Sequence, residues 1–473
     1  MIIIGIILLL FLILLIRTCA FKPITLKAIK PEFIEIDGDT ASLNLSRMIR
    51  KRTVSSRIAE KIEKGEFTAF INLLPELYPE THKVLEREIV NEYAMLYHWK
   101  GIKVSDPLVL MAHYDVVAAP DEGWEHPPFS GDIENGVVWG RGTLDTKGSL
   151  ASALEAVEHL VKSGFIPKQD VYLSFSYDEE VDGVGTEAIV SLLYERGITP
   201  GLVVDEGGAV VHDIFPGIRL PIAVIGVAEK GITDVEIIVR GTGGHASTPP
   251  VKGAAYKLAR AIMRIEEKPF KAFFPRPTLE MFDKLGRYTP FGFRMIFANM
   301  WLFKPLLLQL FKMLNKETQA MCRTTVAITM LEGSMGANVL PARVKAAVNI
   351  RVAVGSTVKD TMNHLKKAVH DPDVKMDMIY PGEPSPVSDT DETYDFLGQI
   401  INETWPGIVV SPYVMLGASD SRHYARITNH VYRFSPFELS KTELDSMHAV
   451  NERIPVSTLK KGVEFYIRLI KKS

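Results

Sequence analysis

The chain of 473 residues is poor in cysteine, with two, Cys19 and Cys322. Thiols this far apart, one of them beside an N-terminal apolar run, provide no disulfide framework. Two cysteines also cannot build a cysteine-rich zinc finger. An excess of one charge is missing as well: 54 lysines and arginines face 57 aspartates and glutamates, for a net charge of -3. No basic run is interleaved with aromatics, so no nucleic-acid partner is expected. No internal repeat and no low-complexity tract follows the N-terminus, which argues against a solenoid. What remains is ordinary globular composition, 47% apolar and 23% charged, in a length that suits two or three domains.

Met1 to Ile16 is apolar throughout apart from Gly5. Such a run reads as a signal peptide or a membrane anchor rather than part of the fold. As a helix it reaches about 24 Å, short of a hydrocarbon core of roughly 30 Å. Continuing to Phe21, with Arg17 snorkelling, closes the gap. No lysine or arginine precedes the run, whereas Arg17, Lys22, Lys27 and Lys30 follow it. By the positive-inside rule that distribution keeps the following domain cytoplasmic. Thr18-Cys19-Ala20 has the small-residue character of a cleavage site. The expectation is an uncleaved single-pass anchor over residues 1–21; secretion after signal cleavage is the alternative. Asn44-Leu45-Ser46 and Asn402-Glu403-Thr404 are glycosylation sequons.

Three apolar runs further on end in polar clusters. Pro107 to Ala112 runs into His113-Tyr114-Asp115, Val171 to Phe175 into Ser176-Tyr177-Asp178-Glu179-Glu180, and Leu202 to Val204 into Asp205-Glu206-Gly207-Gly208. Each run reads as a buried strand. Asp145 lies in the glycine-rich stretch Trp139–Gly148, just before a helix whose Leu150, Leu154, Val157, Leu160 and Val161 share one face. Singly, these have bland explanations: a structural histidine, a helix cap, solvated acidic turns. Together they say more. Strands alternating with helical segments make an α/β sheet, and ligands collect outside the carboxyl ends of its strands. Three consecutive carboxylates resist ionising together unless a cation relieves them. A histidine can bind a metal through one ring nitrogen while a carboxylate orients it through the other. A metal site along one sheet edge is therefore expected.

After Glu229-Lys230-Gly231 the texture changes. Val235, Ile237 and Val239 alternate with polar residues, as does Val344 to Arg351, the pattern of a sheet with one wet face. Helical runs begin near Ala254 and span Val358 to Val369. These mark a second, α+β domain over 231–383, inserted in a first domain formed by 31–230 and 384–473. Within the insertion, 269–321 is aromatic and apolar, with Phe273, Phe274, Phe291, Phe293, Trp301 and Leu306 to Leu308. It reads as extra lid core or as a pocket or membrane-facing patch for a greasy substrate.

His113-x-Asp115, Gly140-Arg141-Gly142 with Asp145, Glu179-Glu180, Asp205-Glu206-Gly207, Gly244-His245 and His448 occur in an order that resembles the aminoacylase/carboxypeptidase S family of two-zinc amidohydrolases, over about residues 31–473. Members acting on N-fatty-acyl amino acids are the most similar. The resemblance implies a zinc-peptidase-like α/β catalytic domain, with a mixed sheet and helices on both faces, plus an α+β lid or dimerisation domain. It implies that Asp145 bridges two zinc ions, with His113 and Asp205 completing one site and Glu180 and His448 the other. Cobalt or manganese also suits nitrogen and oxygen ligands. It casts Glu179 as general base and Asp115 as the group that orients His113. His245 would stabilise the oxyanion, in some relatives from a dimer partner. Asn338 and Arg351, in an Asn-Val-Leu-Pro-x9-Arg pattern, would hold a substrate carboxylate. A cis peptide after Asp145 is implied too. Thr146 departs from the family, many of whose members have Asp or Met there. The expected activity is hydrolysis of N-acyl amino acids, N-fatty-acyl ones first, with condensation as the reverse. A carboxypeptidase S-like peptidase is the alternative. A non-catalytic metal-binding scaffold is the reading from another class, and Glu179 speaks against it, because a pure binder needs no base.

Overall fold

The buried runs become the centre of a ten-stranded mixed sheet in the computed structural model, which describes residues 2–24, 31–181, 183–212, 215, 217–314 and 316–473. Lys27 and Lys30, counted above among the cations after the apolar run, lie outside the described residues. The sheet runs in the order Glu86–Val90, Ala94–Trp99, Gln169–Ser176, Lys103–His113, Leu202–Asp205, Val431–Arg433, Ile222–Glu229, Val210–Val211, Glu438–Leu439. Val409–Met415 adds to Ile222–Glu229 off this path. Four neighbours, from Gln169–Ser176 to Val431–Arg433, are mutually parallel. In register His113 faces Ser176, and Leu110 faces both Leu173 and Val204. The carboxyl ends of these strands therefore open on one edge.

Parallel strands covered on both faces read as continuous apolar runs, and Leu108 to Ala112 is one, buried throughout. Leu108 and Leu110 pack on one side with Leu150 and Leu154 of the helix Lys147–Lys162 and with the C-terminal helix Val456–Lys472. Val109 and Met111 pack on the other side with Ile189, Val190 and Leu193 of the helix Val184–Glu195. Truncating such a fully buried leucine to alanine costs about 2–5 kcal/mol. Helices on both faces of a mixed sheet match the fold class read from the sequence.

A second sheet is antiparallel, in the order Thr325–Glu332, Arg343–Val352, Gly231–Arg240, Val374–Pro381. Its alternation is strict: Val344, Ala346, Val348, Ile350 and Val352 are buried and the residues between them are not. The buried face forms a core of its own with Leu258 and Leu365 from the helices Ala254–Glu267 and Val358–Val369. The other face, with Asn349 and Arg351, looks into a cleft.

Two details differ from expectation. The aromatic stretch near 269–321 forms four helices, yet Phe274, Met281, Phe282, Leu285 and Leu307 join the core of the ten-stranded sheet rather than that of the inserted one. Their apolar faces are matched by the strand Val409–Met415, beside the helix Arg276–Gly286, and not by the lid helices. The sequon at Asn44 is no acceptor in the folded chain, because its amide is buried and donates to Glu155 Oε1 at 2.7 Å. The N-terminal apolar run forms one helix, Ile2–Ala20, long and apolar enough to cross a membrane.

Candidate metal centre

The strand ends bring the polar clusters together. His113 closes its strand with its ring buried. Its Nδ1 lies 3.0 Å from the Asp115 carbonyl and 3.2 Å from Asp115 Oδ1, so its Nε2 is turned to the pocket. The Asp115 carboxylate also accepts the backbone N–H groups of Glu179 and Glu180, each at 3.2 Å. One buried carboxylate thus ties the end of one strand to the turn that follows the next.

Asp145 arrives from a loop rather than a strand. Gly142 in that loop has φ +90°, where a side chain is strained, and a Cβ there would meet Val116 at 2.8 Å. The loop is clamped by Glu452, whose Oε1 accepts from the N–H groups of Gly142, Leu144 and Asp145 at 3.1, 2.9 and 3.2 Å. Its Oε2 pairs with buried Arg141. The peptide between Asp145 and Thr146 is cis, as the resemblance implied. Thr146 Oγ1 donates to the carbonyl of His113 and accepts from its N–H, both at 3.0 Å. The residue that departs from the family pattern thus braces a candidate ligand from behind.

The two oxygens of Asp145 face different histidines. Oδ1 is 2.9 Å from His113 Nε2, and Oδ2 is 2.8 Å from His448 Nε2. His448 Nε2 also lies 3.2 Å from Glu180 Oε1. That approach lacks hydrogen-bond geometry, and the buried Glu180 Oε1 is left without a hydrogen-bond partner. His448 adopts φ +58° in the turn after the helix Lys441–Ser446.

Asp205 and Glu206 divide differently from expectation. Asp205 Oδ2 accepts the backbone N–H of Ser421 at 3.1 Å, beneath the pocket floor. Glu206 Oε1 is the oxygen within reach, 3.5 Å from His113 Nε2. Around His113, candidate ligand atoms lying within 4.8 Å of one another form two groups among the described residues: His113, Asp145 and Glu180, and His113, Glu179 and Glu206. Successive side chains at a strand end point to opposite sides, so the Asp-Glu pair can place only one carboxylate in the pocket. The resemblance named Asp205 of the pair, and the sequence does not show where the strand stops.

Electrostatics fits a cation site. Burial pushes the carboxyls of Glu179 and Glu206 well above the usual carboxylate range, and neighbouring negative charge, Glu206 for the first and Asp145 for the second, adds to it. Burial raises Glu180 too, and lifts Asp205 to about 6. His448 is raised to about 10 by its contacts with Asp145 and Glu180. Burial disfavours charge on His113, but Glu206, Asp115 and Asp145 outweigh it and hold the ring protonated. Burial likewise opposes ionisation of Asp145, yet the two histidines keep it well below the ordinary range. Protons here neutralise a dense carboxylate cluster, a task metal ions perform when ligands are deprotonated. Oxygen and imidazole donors at these separations suit zinc and its neighbours.

The cleft above the cluster has a volume of about 900 Å³. Glu179, Glu180, Glu206 and His448 line it from the catalytic edge, and Ile232, Asn349 and Arg351 from the second sheet. Arg351 is half-buried, and burial lowers its pKa. It forms no ion pair within 4 Å among the described residues, so the surface pairing that would explain it blandly is not there. Asn349 Nδ2 is taken by Asp234 at 2.8 Å. His245 and Asn338 are not brought into this cleft. Both are exposed, on or beside the two-stranded pairing Gly244–His245 with Val339–Leu340, where Ala246 N–H donates to the Asn338 carbonyl at 3.0 Å.

A cluster of histidines and carboxylates along one sheet edge, open to a cleft, is an arrangement suited to a metal-dependent hydrolase. Residues 109–472 match the family described as Peptidase family M20/M25/M40, and the chain belongs to that family. It is 34% identical to the probable carboxypeptidase S-like 2 of Dictyostelium discoideum, over 94% of this chain and 88% of that one. It is 36% identical to the N-fatty-acyl-amino acid synthase/hydrolase PM20D1 of Homo sapiens, over 88% of this chain and 84% of the other. Among solved structures, the M20 family metallo-carboxypeptidase Sso-CP2 from Sulfolobus solfataricus superposes with a TM-score of 0.65 at 17% identity, covering 91% of this chain and 98% of that one.

Proposed function

We propose that the chain hydrolyses the amide bond of N-acyl amino acids, long-chain fatty-acyl ones first, on a two-zinc site. The observation that carries the two-ion reading is the presentation of each Asp145 oxygen to a different histidine nitrogen. In this reading His113, Asp145 and Glu206 hold one ion, and Asp145, Glu180 and His448 the other. Glu206 takes the place that the resemblance gave to Asp205, which is occupied with Ser421. When bound, the ions polarise the scissile carbonyl and acidify water.

The protein groups do the rest. Glu179 lies beside the ligands, where burial and the charge of Glu206 raise its affinity for a proton; ionised when cations occupy the site, it would take a proton from water and deliver it to the leaving nitrogen. Asp115 fixes the His113 ring and the two backbone amides of the Glu179-Glu180 turn. Arg351, half-buried and without an ionic partner among the described residues, offers a two-pronged contact to a substrate carboxylate. His245 and Asn338 act in trans or after lid movement, since both stand exposed on or beside the pairing of Gly244–His245 with Val339–Leu340. We read 231–383 as the lid and dimerisation unit and 31–230 with 384–473 as the catalytic unit. The apolar lining by Val117, Leu144, Met330, Ile379 and Met415 gives an acyl chain its surface. The relative named for N-fatty-acyl amino acids supports the substrate class. We place the chain at a membrane through Ile2–Ala20.

The carboxypeptidase S-like relative favours a second reading, hydrolysis of short peptides read from the carboxyl end by the same arginine. Turnover of a long-chain N-acyl amino acid and of a dipeptide, each before and after chelation and zinc readdition, separates the two. We expect zinc-reversible cleavage of the acyl amino acid at the higher kcat/KM. Preference for the dipeptide would reverse the order, and no zinc-dependent turnover of either would leave the scaffold.

A further inference from the structure

The N-terminal helix is not a free tail. Leu14 and Thr18 are its buried residues, and both meet the insertion helices. Asn299, fully buried between the helices Phe291–Ala298 and Met300–Met313, donates from Nδ2 to the Leu14 carbonyl at 3.3 Å and approaches Thr18 Oγ1 at 3.4 Å. Arg17 Nε donates to the Ala298 carbonyl at 3.3 Å. The joint continues past the helix, where the Arg287 guanidinium sits 4.3 Å from the centre of the Phe21 ring and the Tyr288 hydroxyl donates to the Ile24 carbonyl at 2.8 Å. Polar contacts of this kind hold the helix at a defined place on the folded body.

That place fixes what else a bilayer would touch. Met300–Met313 is apolar on more than one side. Leu307 faces the protein core, with Leu308 and Phe311 packed against it. Leu302, Leu306, Leu310 and Met313, spaced four, four and three residues apart, form a second stripe, and all are exposed. Trp301, Phe291 and Phe293 extend it with exposed aromatic rings. A helix apolar all round is normally buried on all sides or in lipid; this one is covered by protein on one side. The two helices meet at 110°, so they cannot cross a membrane as one straight span. The sequence of this stretch is basic: Lys284, Arg287, Arg294, Lys304, Lys312 and Lys316 occur between Asp283 and Glu317 with no carboxylate among them, and of these Arg287 is paired with Asp283 at 3.1 Å.

We infer that Phe291–Ala298 and Met300–Met313 form a second membrane contact, which lies in the interfacial layer of an anionic bilayer beside the N-terminal helix. A helix of this kind rests with its apolar face about 5–10 Å below the headgroup boundary. Exposed tryptophan and phenylalanine favour that depth, and nearby lysines and arginines are drawn to anionic lipid. The inference rests in part on the reading of Ile2–Ala20 as a retained anchor, but it concerns different residues.

The test uses the full chain in nanodiscs of phosphatidylcholine and phosphatidylserine. Cys19 is replaced by serine, and an environment-sensitive fluorophore is placed in turn on Leu306→Cys, Leu310→Cys, Leu8→Cys in the anchor, and Ile102→Cys, an exposed turn residue. Quenching by spin-labelled lipid is read at each position. Positions 306 and 310 should be quenched about twofold more than 102, as expected for interfacial burial, and a Trp301→Glu change should halve the difference. Quenching at 8 but not at 306 and 310 overturns the second contact and leaves the anchor. Quenching at 306 and 310 but not at 8 keeps the contact and removes the anchor. No quenching at any of the three overturns both. Disulfide capture between two Leu306→Cys copies, with no lipid quenching, assigns the face to a second copy and overturns the inference.

Discussion

The sheet edge and the exposed pairing of Gly244–His245 with Val339–Leu340 carry residues that the proposed reaction uses, yet they are built differently. At the edge, His113, Asp145, Glu180 and Glu206 are buried or nearly so and cross-braced by Asp115, Thr146 and Glu452. On the exposed pairing, His245 and the neighbouring Asn338 face solvent, and the nearest partner of the His245 ring is Ser247, two residues away at 2.8 Å. The first region is preorganised, so its chemistry is set before substrate arrives. In the proposed reading the second is delivered by closure or by a partner copy, so its contribution depends on a motion. Substitutions at the edge should therefore damage chemistry or metal retention directly, while loss of His245 should act on the catalytic rate.

The largest effect falls on the edge. Glu179→Gln should lower kcat by about 10⁴-fold, the upper end for a positioned acid–base group, with metal content unchanged by elemental analysis. Loss of metal in that variant would make Glu179 a ligand and not a base. On the exposed pairing, His245→Ala should cost about 10²–10³ in kcat with little change in KM, as for loss of one oxyanion donor. Steady-state kinetics decide it, and a normal kcat would remove His245 from the reaction. Arg351→Ala should lower kcat/KM for an N-acyl amino acid by about a hundredfold, since a charged partner is lost from a desolvated pocket. It should also abolish the wild-type preference for the free acid over its primary amide. Equal wild-type cleavage of acid and amide would refute carboxylate recognition.

A smaller effect sharpens the boundary between the regions. Lys230, at the junction of the two sheets, is buried and donates to the carbonyls of Ala320 and Arg323 at 3.1 and 2.9 Å. Burial lowers its pKa to about 8, from 10.5 when exposed. Between those values the unfolded chain binds the proton and the folded chain has released it, so this residue's contribution to stability rises with pH across that window and is lost as pH falls through 8. Melting temperatures of wild type and Lys230→Met, measured side by side from pH 7 to 10, should draw apart in that direction. Parallel curves would show that the junction lysine stays charged.

The contrast also explains what was legible in the sequence. Runs such as Leu108 to Ala112 and Val171 to Phe175 announce buried parallel strands, and parallel strands align their carboxyl ends. His113, Glu179, Glu180 and the Asp205-Glu206 pair could thus be placed on one edge without coordinates. Choosing between Asp205 and Glu206 could not be done, because strand pleating turns one-residue uncertainty into the opposite face. The role of Glu452 comes from three backbone N–H groups of a loop more than 300 residues away, which no local pattern encodes. The packing of Phe282 and Leu307 against the first core was equally invisible, since apolar residues show that they will be buried and not by what. Resemblance named His245 and Asn338; nothing in their spacing says how they reach the cleft.

Metal stoichiometry tests the central claim most directly. Metal-stripped protein titrated with zinc, followed by calorimetry and elemental analysis, should bind two ions per chain, a shared carboxylate holding them about 3.5–4 Å apart. Asp145→Asn should lose both. Asp205→Asn should weaken one site by about 10–100-fold, as for a supporting group behind the ligands, and Glu206→Gln should weaken it more, as for a direct ligand. Saturation at one ion per chain, or an Asp145→Asn protein that still binds two, would contradict the two-metal site.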